Sequence, residues 1–198
     1  MTVAALDLNM RDYRLELWLF VVMLVVVLLP GADDLLAFDR SAIDQGQVWR
    51  LLTGHVAHLS ITHALGNVGG LALLAFMVRR AMPEQQLLGL FLWCALVVGC
   101  GLYVIAPDLN RYVGLSGVLH GVLLAVPFVL SLYRGWPAWF FLALIVSKVL
   151  WEQTPFYNDQ ALMEVIGGRV ETRAHILGMC AGGIWLVAMA MLGKLSRH

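Results

Sequence analysis

The sequence predicts an all-α membrane protein that forms a bundle of six transmembrane helices. The first observation is composition: of 198 residues, 61% are hydrophobic and 13% are charged, and the mean hydropathy is +0.81. Soluble domains average about 45–50% apolar residues. The second observation is that the apolar residues form six segments with short polar connections. The chain shows no internal repeat and no long linker, so we expect a single membrane domain over residues 1–198.

Each span needs about 20 apolar residues to cross a core of about 30 Å. The six spans cover roughly residues 13–30, 62–79, 86–106, 116–133, 137–152 and 174–193. The fourth begins at Ser116 and reaches only about 25 Å at 1.5 Å per residue. We therefore expect loop 107–115 to dip into the membrane, where protein or water satisfies its backbone. Ser116 would then lie below the membrane surface, in a cavity.

The distribution of Lys and Arg predicts that both termini are cytoplasmic. The predicted inner side carries seven basic residues: Arg11, Arg14, Arg79, Arg80, Arg134, Lys194 and Arg197. The outer side carries five: Arg40, Arg50, Arg111, Arg169 and Arg173. The acidic N-terminal region lacks a small-residue cleavage pattern, so we expect no cleavable signal peptide. With this orientation, Ser116 starts its helix from the outer side.

Charge and cysteine spacing argue against several classes of function. Thirteen basic and thirteen acidic residues cancel, which predicts no nucleic-acid partner. Cys94, Cys100 and Cys180 lie in apolar segments without metal-ligand spacing, so we interpret them as small core residues. Histidines in spans also suggest a b-type haem or metal protein, but His58 and His63 do not share a helical face. We expect no cofactor and no metal, and the sequence carries no signal for oligomeric state.

Polar residues cluster at the outer ends of the second, fourth and sixth spans. His63 and Asn67 share one face of the second span, as Ser116 and His120 do on the fourth, because they are four residues apart. His175 opens the sixth span. Ionisable groups inside spans are rare and usually face a cavity or a partner. The three clusters lie at one depth and are expected to meet there.

Glycines on the fourth and sixth spans favour close contact between these two helices. Gly117 and Gly121 flank the face of Ser116, and Gly178 follows His175 on one stripe. Close packing would bring the serine hydroxyl within hydrogen-bond reach of His175. A serine becomes a useful nucleophile only when a base removes its proton. The spacing therefore favours nucleophilic catalysis.

A developing oxyanion would need donors, which His63, Asn67 and the backbone N–H of Ser116 can supply. No acidic residue near the clusters is placed to orient the histidine, so the sequence predicts a dyad rather than a triad. Each feature has a simpler interpretation. Ser116 can be an N-cap, and a buried His or Asn can link helices. The motif also lacks the second glycine of G-x-S-x-G. Convergence at one depth favours the catalytic interpretation.

Lys148 and Glu152 form a further polar pair, four residues apart in the fifth span. Lysine before glutamate is the weaker orientation for an i,i+4 pair, so helix stability is a poor reason for it. We expect the pair to face inward near the cavity mouth. There it would brace the fifth helix or meet the polar end of a substrate. The simpler alternative is snorkelling of the lysine to the interface.

Three separated motifs resemble the signatures of rhomboid intramembrane serine proteases. They are Trp49–Asn67, the Gly-x-Ser-Gly of residues 114–117 and the Ala-His-x-x-Gly of residues 174–178. The resemblance implies a rhomboid-like six-helix fold, with Ser116 as nucleophile and His175 as base. It also implies His63 and Asn67 in the oxyanion hole. The motif glycines Gly114, Gly117 and Gly178 would lie just behind the reacting groups.

Among rhomboids, the sequence looks most like the rhombosortases. The similarity is in Gly-Leu-Ser-Gly-Val-Leu-His-Gly (114–121) and Lys-x-x-Trp-Glu-Gln (148–153). More usual bacterial rhomboids have tyrosine in place of His120, which leaves open whether His120 stacks on His175 or tunes its protonation. The subfamily implies substrates that are secreted proteins with a C-terminal Gly-Gly motif, a hydrophobic helix and a basic tail. It also implies a bacterial inner membrane and a periplasmic site.

The predicted activity is therefore cleavage of transmembrane anchors near their outer ends, with substrate and lipid as partners. Paired glycines suit this, because each weakens a helix by roughly 1 kcal/mol relative to alanine. Two alternatives stay open. A non-proteolytic rhomboid-like protein would bind helices, although such proteins typically lack the serine or the histidine. A transpeptidase-like enzyme would use the same Ser116 and His175 but pass the acyl group to an amine.

Overall fold

The structure is a computed structural model that describes residues 13–78, 82–130 and 135–193. Within these ranges the chain is mainly helical, as predicted. The long helices are α1 (Arg14–Leu28), α5 (Ile61–Val78), α6 (Glu84–Ile105), α7 (Ser116–Val129), α8 (Trp136–Glu152) and α10 (Thr172–Met191). The short helices are α2 (Ala32–Leu36), α3 (Arg40–Asp44), α4 (Arg50–Thr53) and α9 (Gln160–Ile166). Their order places one long helix in each predicted span.

Three of the described helices are long and apolar enough to cross a membrane: α5, α6 and α10. The helices α1, α7 and α8 have 15, 14 and 17 residues. At 1.5 Å per residue they reach only about 21–26 Å, short of a core of about 30 Å. The count of six spans therefore stays a prediction.

Helix α7 lies at the centre of the bundle. It packs against α10 most extensively and also against α5, α6 and α8. Its apolar residues, including Val118, Val122 and Val126, are fully buried and belong to the largest core cluster. The helix ends at Val129, whereas the fourth span was predicted to reach residue 133; residues 131–133 lie outside the described ranges. The helix that begins with Ser116 is thus enclosed by its neighbours.

Glycines bring the backbones of α7 and α10 into direct contact. A Cβ added at Gly117 would lie 2.9 Å from the carbonyl oxygen of Ala174. A Cβ at Gly178 would overlap the carbonyl of Gly117, and one at Gly121 would overlap the carbonyl of Gly178. The predicted close packing of the fourth and sixth spans is confirmed.

A long connection between α1 and α5 folds over the end of α6. Its strand β1 (Phe38–Asp39) pairs antiparallel with β2 (Arg111–Tyr112). The guanidinium of Arg40 donates to four carbonyl oxygens that follow or end α6: Leu102, Tyr103, Ala106 and Leu109. Carbonyls at the end of a helix lack the usual number of backbone donors, and Arg40 adds donors there; the carbonyls of Leu102 and Ala106 also accept the N–H groups of Ala106 and Leu109. Arg40 therefore fixes the start of loop 107–115.

Contacts within the protein also bury residues 112–115 at the end of this loop and supply hydrogen bonds to its backbone. Tyr112, Val113, Gly114 and Leu115 are buried. The N–H of Gly114 donates to the carbonyl of Gly54 at 3.0 Å, and the Tyr112 hydroxyl donates to the Gly114 carbonyl at 2.7 Å. At this end the loop is buried and both backbone groups of Gly114 are hydrogen-bonded within the protein, while its predicted dip into the membrane stays a prediction. The loop delivers the chain to Ser116 in a fixed direction.

The predicted orientation depends mostly on basic residues that lie outside the described ranges. These are Arg11, Arg79, Arg80, Arg134, Lys194 and Arg197. The cytoplasmic location of both termini therefore stays a prediction.

Candidate active site

Ser116 and His175 meet where α7 and α10 begin. Ser116 is the first residue of α7, and His175 lies in the first turn of α10. The Oγ of Ser116 is 3.0 Å from the Nε2 of His175. Ser116 is half-buried, while His175 is only 3% exposed. This is the hydrogen bond that a serine nucleophile and its base require.

Glu152 supplies an acidic partner that the sequence argument missed. Its Oε2 lies 2.7 Å from the Nδ1 of His175, and its side chain is 4% exposed. The expectation that no acidic residue reaches the histidine is wrong. The carboxylate accepts the Nδ1–H of His175, which leaves the Nε2 lone pair free to accept the proton of Ser116. The geometry is therefore that of a Ser–His–Glu triad rather than a dyad.

Lys148 is the second member of the polar pair on α8. Its Nζ lies 2.7 Å from the Oε1 of Glu152 and 2.8 Å from the Nε2 of His120. Both residues line the cavity, as expected, but only Glu152 is buried, since the side chain of Lys148 is 49% exposed. Whether the pair braces the helix or meets a substrate stays a prediction. The ammonium balances the charge of a carboxylate that is otherwise shielded from solvent.

His120 lies flat against His175. The ring centroids are 4.1 Å apart with an interplanar angle of 25°. The Nδ1 of His120 is 2.7 Å from the carbonyl oxygen of Ser116, one turn earlier on α7. His120 therefore stacks on the base, one of the two roles that the sequence left open.

His63 and Asn67 lie on α5 beside Gly114, close to the start of α7. A Cβ at Gly114 would lie 2.8 Å from the Nε2 of His63 and 3.8 Å from the Nδ2 of Asn67. Gly114 also has a φ of +120°, so both space and backbone favour glycine there. The Nδ1 of His63 accepts the N–H of Leu59 at 3.4 Å, which leaves Nε2 as the donor.

Asn67 has one donor to spare for an oxyanion. Its Nδ2 donates to the carbonyl of His63 at 3.3 Å, and an amide nitrogen carries two N–H groups. Ser116 contributes a backbone N–H from the first position of α7, where helices leave donors without an intrahelical partner. All three groups border one cavity of about 1020 Å³ that also contains His175 and Glu152.

Two glycines on α5 have different surroundings. Gly66 lines the cavity, and a Cβ there would meet no atom within 4 Å. Close approach occurs one turn later, where a Cβ at Gly70 would lie 2.7 Å from the side chain of Leu119.

Arg173 holds the rim of the cavity, and His58 packs against the cavity residue His63. Arg173 donates to both carboxylate oxygens of Glu171 and to Asp108, each at 2.7 Å. This joins the loop before Ser116 to the start of α10, and the hydrogen bond from Arg173 holds the pKa of Asp108 below its usual value. In the loop before α5, burial lowers the pKa of His58 to about 4, so its ring packs neutral against His63.

The arrangement can perform acyl transfer. It joins a hydroxyl to a buried imidazole, places a carboxylate behind the imidazole and sets three N–H donors around the cavity. Among residues 13–78, 82–130 and 135–193, no group of three His, Cys, Asp or Glu side chains is placed to hold a metal ion. A helical bundle with this site has the geometry of a serine hydrolase whose reacting groups lie within apolar helices.

Comparison with known proteins agrees with this class. A model of the rhomboid domain family matches residues 45–192. The chain is 26% identical over 182 residues to a putative rhomboid protease, YdcA, of Bacillus subtilis, covering 92% of this chain and 86% of that protein. It is 29% identical over 143 residues to the rhomboid protease GlpG of Haemophilus influenzae, covering 70% of this chain and 68% of the relative. The chain belongs to the rhomboid family and is an intramembrane serine protease.

Proposed function

We propose that Ser116, His175 and Glu152 cleave transmembrane anchors by acyl transfer. Ser116 Oγ attacks the scissile carbonyl carbon while His175 Nε2 takes the hydroxyl proton. The tetrahedral intermediate collapses, the C–N bond breaks, and His175 returns the proton to the leaving amine. Water then attacks the acyl-enzyme with His175 as base, which releases the new carboxyl terminus and restores the serine.

The observation that carries this proposal is the unbroken chain of contacts from Ser116 through His175 to Glu152, at 3.0 and 2.7 Å. Three helices contribute one residue each, so the site depends on the packed bundle. His63, Asn67 and the N–H of Ser116 would stabilise the oxyanion. Donors of this kind contribute about 10²–10³ in kcat each.

For the substrate, we propose anchors with a Gly-Gly pair at the outer end, as the resemblance to rhombosortases implies. A peptide bond inside a helix is shielded by its neighbours and must unwind before Ser116 can reach it. Two glycines lower the cost of unwinding by about 2 kcal/mol relative to two alanines. The location that we propose is a bacterial inner membrane, with six spans, cytoplasmic termini and a cavity that opens to the periplasm.

The test uses the purified protein and a reporter that ends in a Gly-Gly anchor and a basic tail. Glu152→Gln should lower kcat by about 10²–10⁴-fold, because the amide no longer holds the right tautomer of His175. Glu84→Gln, the same change on an exposed residue at the start of α6, should leave kcat unchanged. Equal rates in the two variants would remove Glu152 from the proposal.

The same reporter tests the substrate class. Replacing its glycine pair by two leucines should slow cleavage, and an unchanged rate would contradict the unwinding argument. Mass spectrometry of the new C-terminus reports the acceptor. A free carboxylate supports hydrolysis, whereas an added amine would replace the proposed second step by transfer.

A further inference from the structure

Lys148 touches two members of the site at once. Its Nζ contacts Glu152, which orients the base, and His120, which stacks on the base. We propose that Lys148 is a positioning residue that holds His120 as a neutral ring against His175 during proton transfer. This inference rests on the proposed function, since it assigns a role in the same reaction.

The hydrogen bonds determine which nitrogen of His120 carries the proton. A lysine ammonium has three N–H donors and no acceptor, so the Nε2 of His120 accepts from it. The Nδ1 of His120 then carries the proton and donates to the Ser116 carbonyl. Both nitrogens are satisfied in the neutral ring. A second proton on Nε2 would point directly at the ammonium, which opposes protonation.

The neutral state matters because of what forms beside it. When His175 takes the proton of Ser116, an imidazolium appears against the face of His120, with the ring centroids 4.1 Å apart. A neutral aromatic face attracts a cation. A protonated His120 would instead place two like charges in contact, and such contacts disfavour charging. Lys148 therefore favours the protonated base indirectly, by opposing a charge on its neighbour. The ammonium also repels the imidazolium directly, so the effect through His120 must outweigh this repulsion.

The other charged and titratable groups near this pair do not replace Lys148. On α8, Glu152 is engaged by His175 and Lys148 together, and Tyr157 follows α8 on the cavity wall. Before α10, Glu171 is held by Arg173. On α5, His63 borders the same cavity beside Gly114. On α6, Cys94 approaches Gly121 rather than the ring of His120. Among the described residues, Lys148 is the one cation in hydrogen-bond contact with His120.

A double-mutant cycle separates the effect through His120 from the effect through Glu152. Lys148→Met should lower kcat by about tenfold or more, with little change in KM. A loss of this size corresponds to the free energy of one charge-assisted hydrogen bond. His120→Phe keeps a flat ring that cannot take a proton. In the His120→Phe background, the loss caused by Lys148→Met should shrink by at least half. An equal loss in both backgrounds would overturn the inference, because Lys148 would then act through Glu152 alone.

The pH dependence of kcat gives a second readout that simple loss of packing would not change. Lys148→Met removes one of the charges that oppose a proton on His120, while burial and His175 still oppose it, so the acid limb of the profile should move to higher pH by about 0.5 units or more. At least half of this shift should vanish in the double variant with His120→Phe. A Lys148→Met profile that coincides with wild type would overturn the inference.

Thermal unfolding in detergent shows whether each variant is folded. If Lys148→Met does not fold, Lys148→Gln takes its place, because the amide can still donate a hydrogen bond but carries no charge. The same two outcomes then apply to it. Ser116→Ala distinguishes a failure of the proposed catalytic function from a failure of the role proposed for Lys148. Full activity in Ser116→Ala would refute the proposed function, whereas an inactive Ser116→Ala with no effect of Lys148 would refute this inference alone.

Discussion

Replacing Gly178 by alanine should disconnect the nucleophile from its base without touching either. A Cβ at Gly178 would overlap the carbonyl of Gly117, which is backbone and cannot rotate away. Relief of the overlap requires α7 and α10 to separate by about 1 Å or more, since non-bonded atoms pack at about 3.5 Å. Ser116 and His175 lie on these two helices and are joined by one bond of 3.0 Å. At about 4 Å that bond is lost.

The expected result for Gly178→Ala is a fall in kcat/KM of about 10²-fold or more, the usual contribution of a positioned base. Overpacking should also destabilise the protein by about 1–3 kcal/mol. The assay is cleavage of a transmembrane reporter, with thermal unfolding measured in the same detergent. Gly183→Ala is the matched control on α10, because a Cβ there meets no atom within 4 Å and alanine favours the helix. Wild-type activity in Gly178→Ala would refute the argument that backbone contact sets the Ser–His distance.

Three further predictions concern the reacting groups and their surroundings. Ser116→Ala and His175→Ala should each abolish cleavage while the protein stays folded. The double variant should cleave no more slowly than either single variant when the rates are compared. Additive losses of rate would mean that the two residues do not act as a unit. Asn67→Ala or His63→Ala should lower kcat by about 10²-fold in the reporter assay, and unchanged rates in both would assign them to helix packing. Gly114→Ala should lower both the unfolding temperature and kcat, because φ is +120° and the new Cβ would press on His63; a stable and fully active variant would show that the loop can adjust.

The meeting of Ser116 and His175 could be predicted from the sequence because glycine spacing specifies it. Gly117 and Gly121 define one stripe on α7, and Gly178 lies on the matching stripe of α10. Small residues at such spacing allow close helix contact. The polar side chains at the same end of these helices are then brought together. The local sequence pattern was sufficient to predict this contact, because on each helix the glycine stripe and the polar residue lie on the same face.

The role of Glu152 could not be predicted in the same way. It is 23 residues from His175 on another helix, and the contact depends on how α8 is rotated. An apolar helix with Trp and Phe on several faces does not specify that rotation by its pattern. The signal that existed was the presence of Lys148 and Glu152 in an apolar span, where charged groups usually have a functional partner. That signal predicted an inward pair but not which residue it would meet.

The fold of the connection between α1 and α5 also could not be predicted from local sequence pattern. Its short helices are held by Arg40 and Arg50, whose guanidinium groups donate to carbonyl oxygens distant in sequence. In the sequence, these arginines count only as charges that bear on the orientation in the membrane. In the structure they satisfy the open ends of helices, which is a tertiary effect. A pattern of single charges in a loop does not reveal which carbonyls they will reach.

Covalent labelling can show whether Ser116 is an activated nucleophile. The purified protein is treated with a fluorophosphonate, and the adduct is located by peptide mass spectrometry. We expect one adduct, on Ser116, that forms far more slowly in His175→Ala and Glu152→Gln. A protein that cleaves its reporter yet carries the adduct on another residue, or labels Ser116 equally fast in those variants, would contradict this expectation.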